Sequence, residues 1–251
     1  MIGQIREAGL GWVTLLALVA LGILAGLGTW QLQRKAWKDK LVAQIDARLK
    51  EPPKAVTPAQ VMTPGAGQLP LYTRVTVEGR LLHEHERYLF ADGREGSGFH
   101  VLTPLEMAPG RIVWVNRGYV PARLRDPKSR AEGQIAGPTR VTGLVREQGE
   151  RNAFTPDNDV AGNLWYWRDL PGLTRSAFPG GGTDGAPIAI DAEAKPENPG
   201  GWPRGGTTLV KLPNRHLEYA MTWYGLGLTL IGVYLAYATG RIRAAKGRGG
   251  A

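Results

Sequence analysis

The sequence predicts a membrane protein in which a two-helix transmembrane hairpin carries an inserted, β-rich extramembrane domain, either barrel-like or sandwich-like. Residues 8–33 contain no charged side chain, and neither do residues 219–240. Each run reaches the roughly 20 residues that a helix needs to cross a bilayer. Between them, residues 34–218 have an ordinary polar composition and break into short β-like segments. We therefore expect one domain that is anchored at both of its ends.

The first span is predicted to continue as a helix past the membrane, over residues 9–50. Side chains at spacings of three and four residues form a stripe from Trp30 to Leu49, and Pro52 and Pro53 then stop the helix. The apolar run is too long for the core of a cleaved signal peptide, which is about 7–15 residues. The segment is therefore predicted to be an uncleaved anchor.

The remaining segments are predicted in chain order. Residues 51–70 are rich in proline and are expected to form a linker. Residues 71–213 are expected to form the β-rich domain, residues 214–240 the second transmembrane helix, and residues 241–251 a basic tail.

Short β-like segments separated by turn residues favour a barrel or sandwich, because the long helical patterns that connect parallel strands are absent. One short helix is predicted over Leu170–Phe178, and loops over residues 179–186 and 196–206. The predicted strands are Tyr72–Glu78, Arg87–Phe90, Phe99–Leu105, Ile112–Val120, Arg140–Val145, Asn163–Trp167, Pro187–Asp191 and Thr207–Leu212.

The charge pattern indicates contact with membrane lipid and not with nucleic acid. The net charge is +9, but many of the basic residues directly follow the apolar runs, within 34–40 and 241–248. Such clusters set topology and meet anionic head groups, and no basic and aromatic nucleic-acid module is visible. The basic tail predicts a multi-pass protein of the inner membrane, with both termini cytoplasmic and the central domain periplasmic.

Enzymatic chemistry is not indicated by any motif. The chain has no cysteine, which excludes thiol nucleophiles and thiolate metal sites. Neither a Gly-x-Ser-x-Gly elbow nor a His-Glu-x-x-His pair occurs. His83 and His85 have the spacing that places side chains on one face of a strand, and with His100 they are a candidate metal site. The alternative is a set of ordinary solvated residues at a strand end.

His216 stands at the mouth of the second span. On a helix, His216, Tyr219, Ala220 and Trp223 share one face. Neutral imidazole is a good axial ligand for haem iron, and neighbouring rings and small residues admit a flat macrocycle. The alternative is an interfacial anchor, because His, Tyr and Trp all favour the head-group layer. The residues alone leave both interpretations open.

Small residues in both spans predict that the two helices pack together. Gly22 and Gly26 are four positions apart, as are Gly225 and Thr229, and such pairs allow close helix approach. Pairing would bring Trp30 and Arg34 level with His216. We expect this rim to place a cation near haem propionates.

Three motifs, in order, resemble those of the Surfeit locus protein 1 family, and the chain is identified as a member, of its bacterial branch. The first is Leu27-Gly-Thr-Trp-Gln-Leu-Gln-Arg-Lys-Ala-Trp-Lys-Asp-Lys-Leu41. The second is Thr103-Pro-Leu105 followed by Val115-Asn-Arg-Gly-Tyr-Val-Pro121. The third is Asn214-Arg-His-Leu-Glu-Tyr-Ala-Met-Thr-Trp-Tyr-Gly225.

The resemblance implies a non-enzymatic assembly factor that helps to insert or stabilise haem a in the catalytic subunit of a haem-copper cytochrome oxidase. It implies His216 as the iron ligand and the only metal ligand, with haem a as a transient cofactor. The haem-binding set that we expect is His216, Tyr219, Trp223, Trp30 and Arg34. The implied partners are the catalytic oxidase subunit, haem a synthase and membrane lipid. For Arg117, a buried salt bridge and a partner contact are equally open.

Two other functions remain as alternatives at this stage. One is a scaffold that binds the nascent oxidase subunit without touching haem, in which case His216 is dispensable. The other is a membrane-tethered enzyme, which would need a polar cleft among His83, His85 and His100.

Overall fold

The computed structural model describes residues 10–63, 69–93, 96–207 and 214–248. These residues form two compact units, a helical unit from Met1–Gln44 and Lys211–Ala251 and a barrel unit from Ile45–Val210. The α-helices are α1 (Gly11–Lys50), α2 (Pro58–Met62), α3 (Leu170–Ala177) and α4 (His216–Arg248).

Helices α1 and α4 are long and apolar enough to cross a membrane. Their most apolar stretches are almost entirely uncovered by protein, at 6% and 11% buried. Many of their Leu and Val side chains are therefore exposed on the helix surfaces, where contact with water would be costly. Helix α4 starts at His216 and continues to Arg248, so that most of the segment predicted as a basic tail extends the helix.

The two long helices run antiparallel and pack through a stripe of residues spaced by three and four. Gly28 lies against the ring of Tyr224, and Gly227 lies against Leu21. Thr29 Oγ1 and Tyr224 Oη are 3.0 Å apart. Thr14 Oγ1 and Tyr234 Oη, nearer the other end of the pair, are 2.6 Å apart. Glycine permits the close approach, and the hydroxyl pairs add hydrogen bonds between the two helices.

The helices do pair as predicted, but not through the glycines that predicted it. A Cβ added at Gly22, Gly26 or Gly225 would meet no atom within 4 Å, and Thr229 is exposed. These residues face away from the partner helix because the contact stripe passes through Gly28 and Gly227 instead. Spacing alone does not tell which of two glycine-containing faces of a helix is used.

The segment predicted as a linker is partly structured. Residues Lys54–Ala55 form a short strand, and α2 begins where Thr57 and Gln60 form a reciprocal capping box with Pro58 in the first turn. Val61 of α2 is fully buried in the barrel core. Burial of this one side chain gives the proline-rich segment a fixed place on the domain.

The strands of the barrel unit are β1 (Lys54–Ala55), β2 (Arg74–Leu81), β3 (Arg87–Gly93), β4 (Gly96–Ala108), β5 (Arg111–Pro121), β6 (Pro138–Glu147), β7 (Leu164–Trp165) and β8 (Asp184–Ala192). Seven predicted strands correspond to these elements. Tyr72 is excluded from β2 because its φ is +64°. Strand β8 begins inside the predicted loop 179–186. The predicted strand Thr207–Leu212 lies, apart from Thr207, outside the described residues.

Five strands close into a barrel in the order β2-β6-β8-β5-β4, and β4 returns to β2. The closing pairs are Arg80 with Glu106 and Leu81 with Leu105. Strand β5 runs parallel to β8, whereas β2–β6, β6–β8, β4–β5 and β2–β4 are antiparallel. Strands β3 and β7 extend the sheet beyond β4, and β1 extends it beyond β2. The barrel alternative of the predicted fold class is therefore the one observed.

Side chains that point alternately into and out of the barrel form two hydrophobic cores. Val113 and Val115 of β5 point into the barrel with Ile188 and Ile190 of β8. The intervening residues, Ile112, Trp114 and Ala189, point outward and are covered by Leu170, Leu173 and Ala177 of α3. The period of two thus supplies an interior face and a helix-covered face. The predicted helix over Leu170–Phe178 is confirmed, with Asp169 as its N-cap.

Gly79 lies where β2 leaves β6 and meets β4, and it allows the barrel to close. A Cβ at this position would overlap the carbonyl oxygen of Glu106, which belongs to the closing strand. We predict that Gly79→Ala lowers the free energy of unfolding by about 1–3 kcal/mol, because a backbone atom cannot move away cheaply. Gly180→Ala is the control, since Gly180 has open surroundings. Equal thermal unfolding midpoints for the two variants in detergent would contradict this account.

Candidate functional site

An open pocket of about 470 Å³ lies between α1 and the start of α4. Its lining residues are Gln31, Lys38, Arg215, His216 and Tyr219. All five belong to the helical unit. The pocket therefore combines two cations, an amide, an imidazole and a phenol at one end of the helix pair.

His216 is held by a hydrogen bond from the opposite helix. Its Nδ1 lies 2.7 Å from Oε1 of Gln31, and its backbone N–H is capped by Asn214 at 3.4 Å. An amide oxygen only accepts, so Nδ1 carries the hydrogen and Nε2 of the neutral ring keeps its lone pair. Among the described residues, none forms a hydrogen bond with Nε2. The ring thus has one nitrogen fixed and one available as a donor to a metal.

The structure distributes the predicted site residues unevenly. Tyr219 lines the pocket with His216, although its side chain is 54% exposed. Trp223 is half-buried further along α4. Gln31, which lies between Trp30 and Arg34 in the chain, is level with His216. However, Trp30 is exposed, and the guanidinium of Arg34 sits 4.6 Å above the ring of Trp37.

Sequence reasoning missed three pocket residues. Lys38 and Arg215 supply the cationic character that was expected of Arg34, and Gln31 supplies the acceptor for the imidazole. The signal was present in the chain, because Gln31 and Lys38 are spaced by one heptad from each other on the stripe that includes Gly28. Gln31 and Lys38 differ from Arg34 only in that they lie on the face of α1 that meets α4.

A second polar cluster is buried in the barrel unit around Glu86, which is 4% exposed. Its Oε2 accepts from Arg130 at 2.6 Å, and its Oε1 accepts from Arg117 at 3.3 Å. Arg117 also donates to the Gly133 carbonyl and to Oδ1 of Asn198. For Arg117 the structure thus selects the buried salt bridge from the two alternatives left open by the sequence.

The electrostatics of this cluster favour its charged form. Burial would raise the pKa of Glu86, but hydrogen bonds from His83 and Arg130 and the charges of Arg130 and Arg117 lower it to about 2. Burial lowers the pKa of Arg117 to about 10, although the charge of Glu86 opposes the change. Both groups therefore stay ionised at neutral pH, so Glu86 balances one of two buried arginines.

The histidines considered as a metal site do not form one. Residues His83–His85 form a short 3-10 turn, so the strand geometry on which the metal-site hypothesis depended is absent. His83 Nε2 lies 3.0 Å from the carbonyl oxygen of Ile135, the ring of His85 stacks on Phe178, and His100 packs against Tyr119. Within the described residues, no group of three His, Asp or Glu side chains has the geometry to hold a metal ion.

Comparison with known proteins identifies the chain's relatives. The model of the SURF1 family matches residues 18–228. The chain belongs to the SURF1 family. Surfeit locus protein 1 of Homo sapiens is 38% identical over 237 residues, covering 88% of this chain and 74% of that protein.

Two further relatives give the same picture. Surfeit locus protein 1 of Rattus norvegicus is 37% identical over 217 residues, covering 80% of this chain and 67% of that protein. A SURF1-like protein of Monosiga brevicollis is 36% identical over 247 residues, covering 92% of this chain and 88% of its own. The SURF1 match includes both the His216 pocket and the Glu86 cluster, so both belong to the family region of the chain.

The buried carboxylate makes a stability prediction for this SURF1 protein. Glu86→Gln should lower the free energy of unfolding by about 3–5 kcal/mol, because two buried guanidinium groups lose their counter-charge. Glu78→Gln is the matched control, since the Glu78–Arg140 ion pair is exposed on both sides and should contribute no more than about 1 kcal/mol. Denaturant unfolding followed by tryptophan fluorescence measures both. Similar losses in the two variants would refute the role given to Glu86.

The same group predicts a pH dependence. The pKa of Glu86 is lowered from its ordinary 4.5 to about 2 on folding, so its stabilising contribution is complete above pH 4.5 and is lost as the pH falls toward 2. The wild type should therefore lose stability over this interval more steeply than Glu86→Gln. Parallel stability curves between pH 5 and pH 2 would rule this out.

Proposed function

We propose that the protein is an assembly factor for a haem-copper cytochrome oxidase, and that it holds haem a for insertion or stabilisation in the catalytic subunit. The observation that carries the proposal is the imidazole of His216, fixed through Nδ1 and open at Nε2, in a chain of the SURF1 family. The role is one of binding and handover, so no catalytic residue is assigned.

The side chains that line the pocket are of the kinds that bind a metalloporphyrin. An iron porphyrin offers an axial coordination position and two carboxylates, which call for a neutral nitrogen donor and for cations. His216 supplies the nitrogen, and Lys38 and Arg215 supply the cations. Tyr219 offers an aromatic face on the same wall. Trp30, Arg34 and Trp223 remain candidates for contacts further from the ligating nitrogen.

Release of the cargo follows from the single ligand. A haem held by His216 as its single protein ligand would need only one bond to the protein broken for its transfer to a receiving protein. The openness of the pocket also suits a transient complex. We infer that the receiving protein is the catalytic subunit of the oxidase and that haem a synthase is a source of the cargo.

The membrane placement is part of the proposal. Helices α1 and α4 are the two spans, and the basic residues after α4 favour a cytoplasmic location for both ends of the chain. The barrel unit is then periplasmic, and the His216 pocket lies at the periplasmic end of the helix pair. The basic residues flanking both helices contact lipid head groups.

A scaffold that binds the nascent subunit without haem is the second candidate. It is favoured by the faces bearing Gly22, Gly26 and Gly225, which α1 and α4 leave uncovered and which suit close contact with another helix. The two functions differ in whether His216 is needed.

Co-expression with the enzymes of haem a synthesis tests the proposal. The detergent-purified wild type should carry the absorption spectrum of haem a, and His216→Ala should lose at least about nine-tenths of it, because the loss of a metal ligand removes the coordinate bond. His85→Ala is the control histidine, since His85 packs against Phe178 in the barrel unit. Full haem in His216→Ala would overturn haem binding at this residue. No haem in any form, with oxidase assembly still dependent on the protein, would select the scaffold.

A further inference from the structure

We infer that Gln31 is the positioning residue of the haem site. Resting on the proposed function, this assigns to the amide oxygen of Gln31 the task of fixing His216 as the Nδ1–H tautomer and directing Nε2 toward the iron porphyrin. The proposed function needs only His216 of α4. This inference adds a residue of α1, so that both helices contribute to the site.

The first support is the bond itself. At 2.7 Å it is a short hydrogen bond for a nitrogen donor, and it links positions 185 residues apart in the chain. Lys38 and Arg215, the charged residues lining the pocket, have side chains that only donate. Tyr219 has a hydroxyl that can accept, but the oxygen within hydrogen-bond distance of Nδ1 belongs to Gln31.

The second support is the rigidity of the register around the bond. On one side of it, Thr29 pairs with Tyr224 at 3.0 Å. On the other side, Asn214 Nδ2 donates to Oδ1 of Asp39 at 2.8 Å. Hydrogen bonds that join α1 to α4 and to Asn214 just before it therefore flank the Gln31–His216 contact in both directions, and they hold the amide opposite the ring.

The consequence for ligation is general to metal-binding histidines. Such a ring commonly donates its second N–H to a nearby acceptor, which fixes the orientation of the ring and raises the basicity of the ligating nitrogen. Loss of the acceptor typically costs about 10–100-fold in metal affinity. A carboxylate in place of the amide strengthens the hydrogen bond because the acceptor is charged.

The experiment titrates the full-length, haem-free chain in detergent with ferric haem a. Gln31→Leu should raise the dissociation constant by about 10–100-fold, whereas Gln31→Glu should retain binding. Gln33→Leu is the matched control, because Gln33 is on the same helix and is exposed. Helical content and thermal unfolding are measured in parallel, so that a misfolded variant is recognised.

A second readout separates positioning from mere packing. In the reduced complexes, the iron–histidine stretching frequency in resonance Raman spectra reports the hydrogen bond at Nδ1. It should fall in Gln31→Leu, rise in Gln31→Glu and stay unchanged in Gln33→Leu.

The outcomes distinguish this inference from the proposal on which it rests. If the wild type binds haem a and Gln31→Leu matches Gln33→Leu in affinity and frequency, Gln31 has no positioning role, while haem binding stands. If Gln31→Glu loses binding as fully as Gln31→Leu with the fold intact, the acceptor function is wrong. If the wild type binds no haem a, the proposed function and this inference both fail.

Discussion

The contact between the two ends of the chain is the interaction on which the candidate site depends. Two helices whose apolar side chains stay largely exposed gain little from the apolar area that they bury against each other. Their association therefore depends on close approach at Gly28 and Gly227, together with the hydroxyl and amide hydrogen bonds along the seam. The Gln31–His216 bond is one of these contacts, so the feature that pairs the helices is also the one that orients the imidazole.

The barrel unit is stabilised differently, by a sheet that closes on itself. Strand β8 lies between β5 and β6, and β4 returns to β2, so the ring of five strands has no free edge. Its interior is aliphatic. Charge is concentrated outside that core, where Glu86 meets Arg117 and Arg130. Such a cluster is costly to desolvate but also costly to break, which ties the 3-10 turn before β3 to β5 and to the segment that follows it.

The sequence predicted the classes of element well, because apolar length and alternation are local properties. Both long helices and the paired strands β2 and β6 follow directly from them. The sequence did not predict which face of each helix is used. Gly22 and Gly28 are both glycines in the same apolar run, and only the contact with Tyr224 distinguishes them. For the same reason, the sequence predicted Arg34 at the pocket, whereas the structure places Lys38 there.

Other differences come from contacts between distant residues. The turn at His83–His85 directly precedes Glu86, whose partners Arg117 and Arg130 lie more than thirty residues away along the chain. The spacing of the histidines therefore could not show that these residues form a turn that leads into a buried charge cluster. Val61 is similar, because burial under the barrel gives order to a segment whose proline content predicts a linker. His216, in contrast, was singled out through its motif, and the structure places it in the pocket; its role as a metal ligand stays a prediction.

The position of β8 in the ring also sets an order of events during biosynthesis. The sheet stays open until residues Asp184–Ala192 have been made, because β5 and β6 reach each other only through that strand. Pairing over such sequence separations is slow relative to local structure. His216 is added to the chain later still, after all residues of the barrel unit. A chain whose synthesis stops before Arg215 therefore lacks one wall of the His216 pocket, and the pocket forms only in chains whose synthesis has passed the barrel.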